Sequence, residues 1–229
     1  MLRLFDCHTH STHSFDARAS FDGLCEAAIE YGLHGICVTD HVDFDEAESG
    51  YGHYDYDAYI ADVERCRKKY RDNLVIKSAA EVTYQTEFEN DIRRFLEEHE
   101  YDFVLGSIHL IEHTSLLDPD YFAGRTEGEA YGLYWQEVLA MVESGLFRHI
   151  GHLDYIKRTR PKEYGPYDFK RWEPQITEVL QKIIRSRAIP EVNTSAFRMG
   201  FDEPYPSWQI LELYRRLGGT RVVLGSAAH

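Results

Sequence analysis

The stretch Asp6-Cys7-His8-Thr9-His10-Ser11-Thr12-His13 decides how the rest of the chain is read. The segment before it, Met1 to Phe5, is apolar apart from one arginine and reads as a short buried strand running into three histidines. Alternate side chains of a strand share a face, so His8 and His10 point one way at its end while Cys7 and Thr9 point the other. His13, already in the turn, is placed to swing back toward the same space. Imidazole nitrogens gathered in this way suit zinc, manganese or iron better than magnesium or calcium. A lone His-x-His is common by chance and would carry little weight. Here, however, ionisable residues recur at the ends of later strand-like runs.

Taken in order, Ser20 to Tyr31 has the form of an amphipathic helix with Ser20 as N-cap and Gly32 as its stop. Gly35 to Thr39 is a short apolar strand ending in Asp40-His41, and Leu74 to Ala80 is another, closed by Glu81. Between them lie an acidic, Tyr-rich surface loop, Asp43 to Asp57, and a helix, Ala58 to Tyr70. The loop lacks the ordered ligand spacing of an EF-hand. Phe88 to His99 reads as a helix, and the strand from Tyr101 ends in Gly106-Ser107-Ile108-His109. The long connection from Leu110 to Gly128 carries His113, Asp118 and Arg125 and has the length of a lid or substrate wall. After a helix over Glu129 to Ser144, the strand Leu146 to Ile150 leads into Gly151-His152-Leu153-Asp154, with Arg158 and Arg160 close behind. A helix over Phe169 to Arg187 precedes the strand Ala188 to Asn193, which delivers Arg198. The helix Ser207 to Leu217 precedes the strand Arg221 to Leu224, and the chain closes on Gly225-Ser226-Ala227-Ala228-His229.

Seven strands alternating with six helices, with no linker or low-complexity segment, point to an α/β fold with a parallel sheet. A barrel is the economical way to bring seven strand ends together, and barrel sites are built where the strands end. One domain spanning all 229 residues is expected, which is normal for such a barrel. With 43% hydrophobic and 28% charged residues, the composition is that of a globular chain rather than a disordered one. A formal net charge of −14 repels polyanions, so neither nucleic acid nor an anionic membrane is an expected partner. The four cysteines, Cys7, Cys25, Cys37 and Cys66, form no Cys-x-x-Cys pair and are expected to be reduced thiols. Met1 to Phe5 leaves no room for a signal peptide and no apolar run reaches membrane-spanning length, so a cytoplasmic protein is expected.

At this point the motifs match a known family. His8-Thr9-His10 with His13, Thr39-Asp40-His41, Glu81, Gly106-Ser107-Ile108-His109, Gly151-His152-Leu153-Asp154 and the closing Gly225-Ser226-x-Ala228-His229 resemble, in order and from end to end, the polymerase-and-histidinol-phosphatase (PHP) family. Within it, the segments 151–158 and 191–198 look like those of the histidinol-phosphate phosphatases. The resemblance implies a distorted (β/α)7 barrel holding two or three divalent ions, Zn, Mn or Fe. It implies one metal on His8, His10 and Glu81, a second on Glu81, His109 and His152, and a third on His13, His41 and His229. The family's closing motif is Gly-Ser-Asp-Ala-His, so Ala227 stands where an aspartate ligand is expected. The chain also ends sooner after this motif than the resemblance implies.

The implied activity is a histidinol-phosphatase of histidine biosynthesis, a hydrolase acting on a small phosphorylated substrate and impaired by Ala227. Arg158 and Arg198 are expected to take the non-bridging phosphate oxygens, because the guanidinium fork matches phosphate; His113 is a candidate contact to the substrate. Asp6, Asp40 and Asp154 are candidates to hold the far nitrogens of ligand imidazoles, or equally to serve as caps and turn formers. His34, His53, His99 and His149 lie off the strand ends and read as structural or surface residues. Two alternatives stand beside the phosphatase: a phosphodiesterase or nuclease of the same family, and a metal-binding module without catalysis, which Ala227 favours.

Overall fold

The computed structural model describes residues 3–229, so the lead-in residues Met1 and Leu2 lie outside it. Seven parallel strands, Phe5–Thr9, Gly35–Val42, Val75–Thr83, Phe103–Ser107, His149–Ile150, Ile189–Asn193 and Val223–Gly225, lie side by side in chain order. The last returns to the first: Thr9 bridges Ala228 in parallel, His10 N donates to Ala228 O at 2.8 Å and Ala227 N to His8 O at 2.7 Å. The result is a nearly closed seven-stranded barrel wrapped by helices, the distorted (β/α)7 architecture in one domain.

The six expected helices form, with ends shifted by a few residues. Phe21–Glu30 is capped by Ser20, whose side chain accepts from Gly23 N, and the chain turns away at Gly32 with φ +70. Glu127–Glu143 begins two residues earlier than its hydrophobic pattern suggests, because Thr126 and Glu129 form a reciprocal capping box. Tyr131, Trp135, Ile176 and Leu180, from this helix and from Phe169–Ser186, enter the main core between helices and strands. Phe21, Cys25, Tyr59, Val63 and Cys66 form a smaller core where Phe21–Glu30 and Tyr56–Tyr70 cover the second and third strands. All four cysteines are free. No helix of the described residues is long and apolar enough to cross a membrane.

The connection after the fourth strand is a folded element rather than an open loop. Leu110–Ile111 pairs antiparallel with Thr114–Ser115 around Glu112 and His113, both with left-handed φ of 51 and 59. Leu116, Tyr121 and Phe122 then pin it to the core.

Gly106, in the fourth strand, lets the Phe147 ring lie across it; an added Cβ would sit 2.5 Å from the ring's Cγ. Gly106→Ala is therefore expected to destabilise the fold by about 1–3 kcal/mol, seen as a lower urea midpoint with an unchanged m-value.

Candidate metal centre

Parallel pairing sets the site. His41 and Glu81 are register partners on the second and third strands, and Thr83 and Ser107 are partners on the third and fourth. Their side chains therefore arrive at one level at the carboxyl ends of the strands, where His8 and His10 also end the first strand. Glu81 is buried at the centre. Its Oε2 lies 3.1 Å from His8 Nε2, 3.4 Å from His10 Nε2 and 3.4 Å from His41 Nδ1. Its Oε1 lies 2.9 Å from His152 Nε2 and 3.5 Å from His109 Nε2, and accepts from Ser107 Oγ at 2.5 Å.

Five imidazoles around one carboxylate exceed what its own hydrogen bonding explains. His8 Nε2 and His10 Nε2 face each other at 2.9 Å, and the buried His41 Nδ1 has no hydrogen-bond partner. Lone pairs that point at a common space, with one buried nitrogen orphaned, are what a cation-binding donor set requires. The groups are His8, His10 and Glu81; Glu81, His109 and His152; His10, His41 and His229; and His41, Asp43 and His109. His10 stacks on both His229 and His41, with ring centroids 4.1 and 4.4 Å apart.

The electrostatics agree. Burial and the neighbouring His41 and His8 hold His10 well below the usual imidazole range, and burial also lowers His41. Both therefore stay neutral, with a lone pair available, at neutral pH. Burial opposes the charge on Glu81, but His8, His109 and His41 outweigh it and keep the carboxylate well below its ordinary range. His8 differs: burial pulls it down, but Glu191 and Glu81 raise it well above its ordinary range, so a cation at this group would displace its Nε2 proton.

Not every expected residue converges. His13 turns from the cluster toward Asp62, Nε2 to Oδ2 3.0 Å, with its ring edge-on to Tyr59. His10 takes the place beside His41 and His229 that the resemblance implies for His13. His113 sits at the hairpin turn, 2.9 Å from Asp45 Oδ2 and 3.5 Å from Glu87, and lines a neighbouring cavity instead. Arg158 and Arg198 do line the main cavity with Ala227 and His229. Arg158 donates to the Tyr155 hydroxyl, and Arg198 donates to the carbonyls of Ser226 and Ala227 at 2.6 and 2.8 Å.

The expected carboxylate partners are also redistributed. Asp40 accepts from Ser11 and Ser14 and reaches His10 only through Ser14, whose Oγ is 3.1 Å from His10 Nδ1. Asp6 binds the backbone of His8 and Ser226, and Asp154 pairs with Lys157 and Ser207 N. Glu191 instead holds the His8 imidazole directly: Oε1 is 2.7 Å from His8 Nδ1, while Oε2 accepts from His152 N at 2.9 Å. Its only signal in sequence was an acidic residue inside an apolar strand.

By fixing Nδ1–H of His8, Glu191 directs the Nε2 lone pair at the shared space. Glu191→Gln is expected to weaken zinc binding about 10–100-fold, measured by chelator competition; unchanged affinity would remove Glu191 from this role.

Known proteins resemble this chain in sequence and in fold. The PHP domain family matches residues 6–195. A probable histidinol-phosphatase of Clostridium acetobutylicum is 28% identical over 228 residues, 99% of this chain and 86% of that protein. The histidinol-phosphatase of Lactococcus lactis subsp. lactis is 28% identical over 235 residues, 100% of this chain and 85% of that one. The crystal structure of histidinol phosphate phosphatase from Lactococcus lactis, complexed with zinc, L-histidinol and phosphate, superimposes with a TM-score of 0.91 at 26% identity, covering 100% of this chain and 87% of that one. Barrel, strand-end histidines and sequence likeness thus lead to one assignment: the chain belongs to the PHP domain family.

Proposed function

We propose that this chain is a metal-dependent phosphomonoesterase that hydrolyses L-histidinol phosphate to L-histidinol and phosphate, a step of histidine biosynthesis. One observation carries the reading: five imidazoles share the Glu81 carboxylate at the floor of a cavity whose wall holds two arginines. The relatives that span the whole chain, one crystallised with zinc, L-histidinol and phosphate, support the substrate.

Two or three divalent ions, Zn, Mn or Fe, would be held by His8, His10 and Glu81, by Glu81, His109 and His152, and by His10, His41 and His229. When bound, such ions supply Lewis acidity toward the phosphoryl oxygens and acidify a water. Glu81 would belong to both of the first two groups, since Oε2 faces His8 and His10 and Oε1 faces His109 and His152. Arg158 presents its fork to the non-bridging oxygens, where charge builds up during displacement. Its stacking over Tyr155, 5.3 Å from the ring centroid, holds the guanidinium in place. Arg198 serves a second purpose, because its bonds to Ser226 and Ala227 fix the segment that carries His229.

Ala227 lines the cavity with a left-handed φ of 46, a conformation that aspartate tolerates better than alanine. The residue's backbone, not its side chain, joins it to His8. An aspartate here would add an anionic ligand without disturbing barrel closure. This position is also the observation that favours a noncatalytic metal-binding module as a second reading. The protein is read as cytoplasmic, with a small phosphorylated substrate and with neither nucleic acid nor membrane as partner, since its charge of −14 repels polyanions.

Phosphate release from L-histidinol phosphate by the zinc- or manganese-loaded protein should exceed turnover of a dinucleotide; the reverse preference would favour a phosphodiesterase. Ala227→Asp should raise kcat by orders of magnitude, and no gain with metal bound would support the noncatalytic module. In that activated background, Arg158→Ala should lower kcat/KM about 10²-fold, the scale of losing one preorganised donor to developing charge.

A further inference from the structure

The cavity above Glu81 has a volume of about 420 Å³ and is lined by three carboxylates, two of which are engaged. Glu81 is ringed by imidazoles, and Asp16 Oδ2 faces His229 and His41 at 3.2 and 3.8 Å. Glu48 is different. It belongs to none of the ligand groups, and its Oε2 is buried with no hydrogen-bond partner. A carboxyl oxygen enclosed without a donor is costly, which makes it a place where a ligand can supply the missing one.

The surroundings say what kind of ligand that is. Neither arginine of the cavity pairs with Glu48: Arg158 donates to the Tyr155 hydroxyl and Arg198 to backbone carbonyls. Beside these groups, Phe15, Leu117 and Met199 line the same cavity and leave 39%, 42% and 40% of their surface exposed. Metal donors and arginines thus share the cavity with an unpaired carboxyl group and exposed apolar side chains, which suits a molecule with a phosphate at one end and a protonated nitrogen on a partly apolar body at the other.

We infer that Glu48 is the specificity-determining residue of this cavity, accepting a protonated nitrogen of the substrate's alcohol portion while the arginines take its phosphate. The inference rests on the phosphatase reading above and names the residue by which the cavity selects phosphomonoesters of amino alcohols. A charge-assisted hydrogen bond to an enclosed carboxylate is stronger than a neutral one. An ester without a cationic nitrogen leaves the group unpaired, and sites built to pair with a polar group discriminate strongly against ligands that lack it.

The test has a binding arm and a kinetic arm. Calorimetric titration of the metal-loaded protein with L-histidinol should give a Kd at least ten-fold lower than that of Glu48→Gln, with Glu48→Asp, which keeps the charge on a shorter stem, in between. Equal Kd values in all three proteins, or no L-histidinol binding by the unaltered one, would overturn the assignment. In the kinetic arm, the ratio of kcat/KM for L-histidinol phosphate to that for phenyl phosphate should fall at least ten-fold in Glu48→Gln. An equal loss on both esters would move Glu48 from specificity to the chemical step. If the Ala227→Asp protein turned over neither ester, the phosphatase reading would fail alone, and the titration would still decide the role of Glu48.

Discussion

The structure depends on one buried carboxylate that must be shared. Glu81 sits near the carboxyl end of the third strand, with three imidazoles on one oxygen and two imidazoles plus the Ser107 hydroxyl on the other. A buried anion is tolerable only with compensating partners, and no single neighbouring strand can provide five. The partners come from the first, second, fourth and fifth segments of the barrel, so their geometry requires the strands to be parallel and in their observed order. Parallel register makes His41 and Glu81 level with each other, pairing of the first strand with the second sets His8 and His10 beside them, and closure of the barrel brings the segment of His229 around to meet them.

Around that centre, a further set of polar contacts holds the rings at fixed angles. Glu191 and Asn193, from the sixth strand, meet the Nδ1 side of His8. Ser14 links His10 to Asp40, and Thr83 links His109 Nδ1 to Asp43. Each connection joins residues from different strands or loops. Ring orientation is consequently a property of the closed barrel, and the same contacts that orient the donors also tie neighbouring strand ends together. Stability and metal-binding geometry are coupled through them.

The closing segment separates these two functions. Its structural work is done by backbone groups, Ala227 N to His8 O and Ala228 O to His10 N, and is reinforced by Arg198 on two of its carbonyls. A side chain at position 227 is free to change without opening the barrel. Gly225 is not: an added Cβ there would lie 2.1 Å from Glu191 Oε1 and 2.5 Å from His8 Cβ. One motif thus contains a position constrained by packing, Gly225, and another constrained by its left-handed backbone and by chemistry, Ala227.

The alternation of strands and helices, the placement of ionisable residues at strand ends and most helix limits were legible in the sequence, because each reflects local periodicity or a local cap. Ser20 with Gly32 and the run from Gly35 to His41 needed no distant partner to be read. What the sequence could not specify was where side chains in turns point. His13 faces Asp62, His113 faces Asp45, and the hairpin around Glu112 and His113 forms without the glycine or asparagine that announces such turns. Glu191 reaches His8 across 183 positions, a pairing only barrel closure creates. Local periodicity determined which residues stand at the rim; tertiary structure decided which of them touch, because contact between distant segments depends on how the whole sheet closes rather than on spacing along the chain.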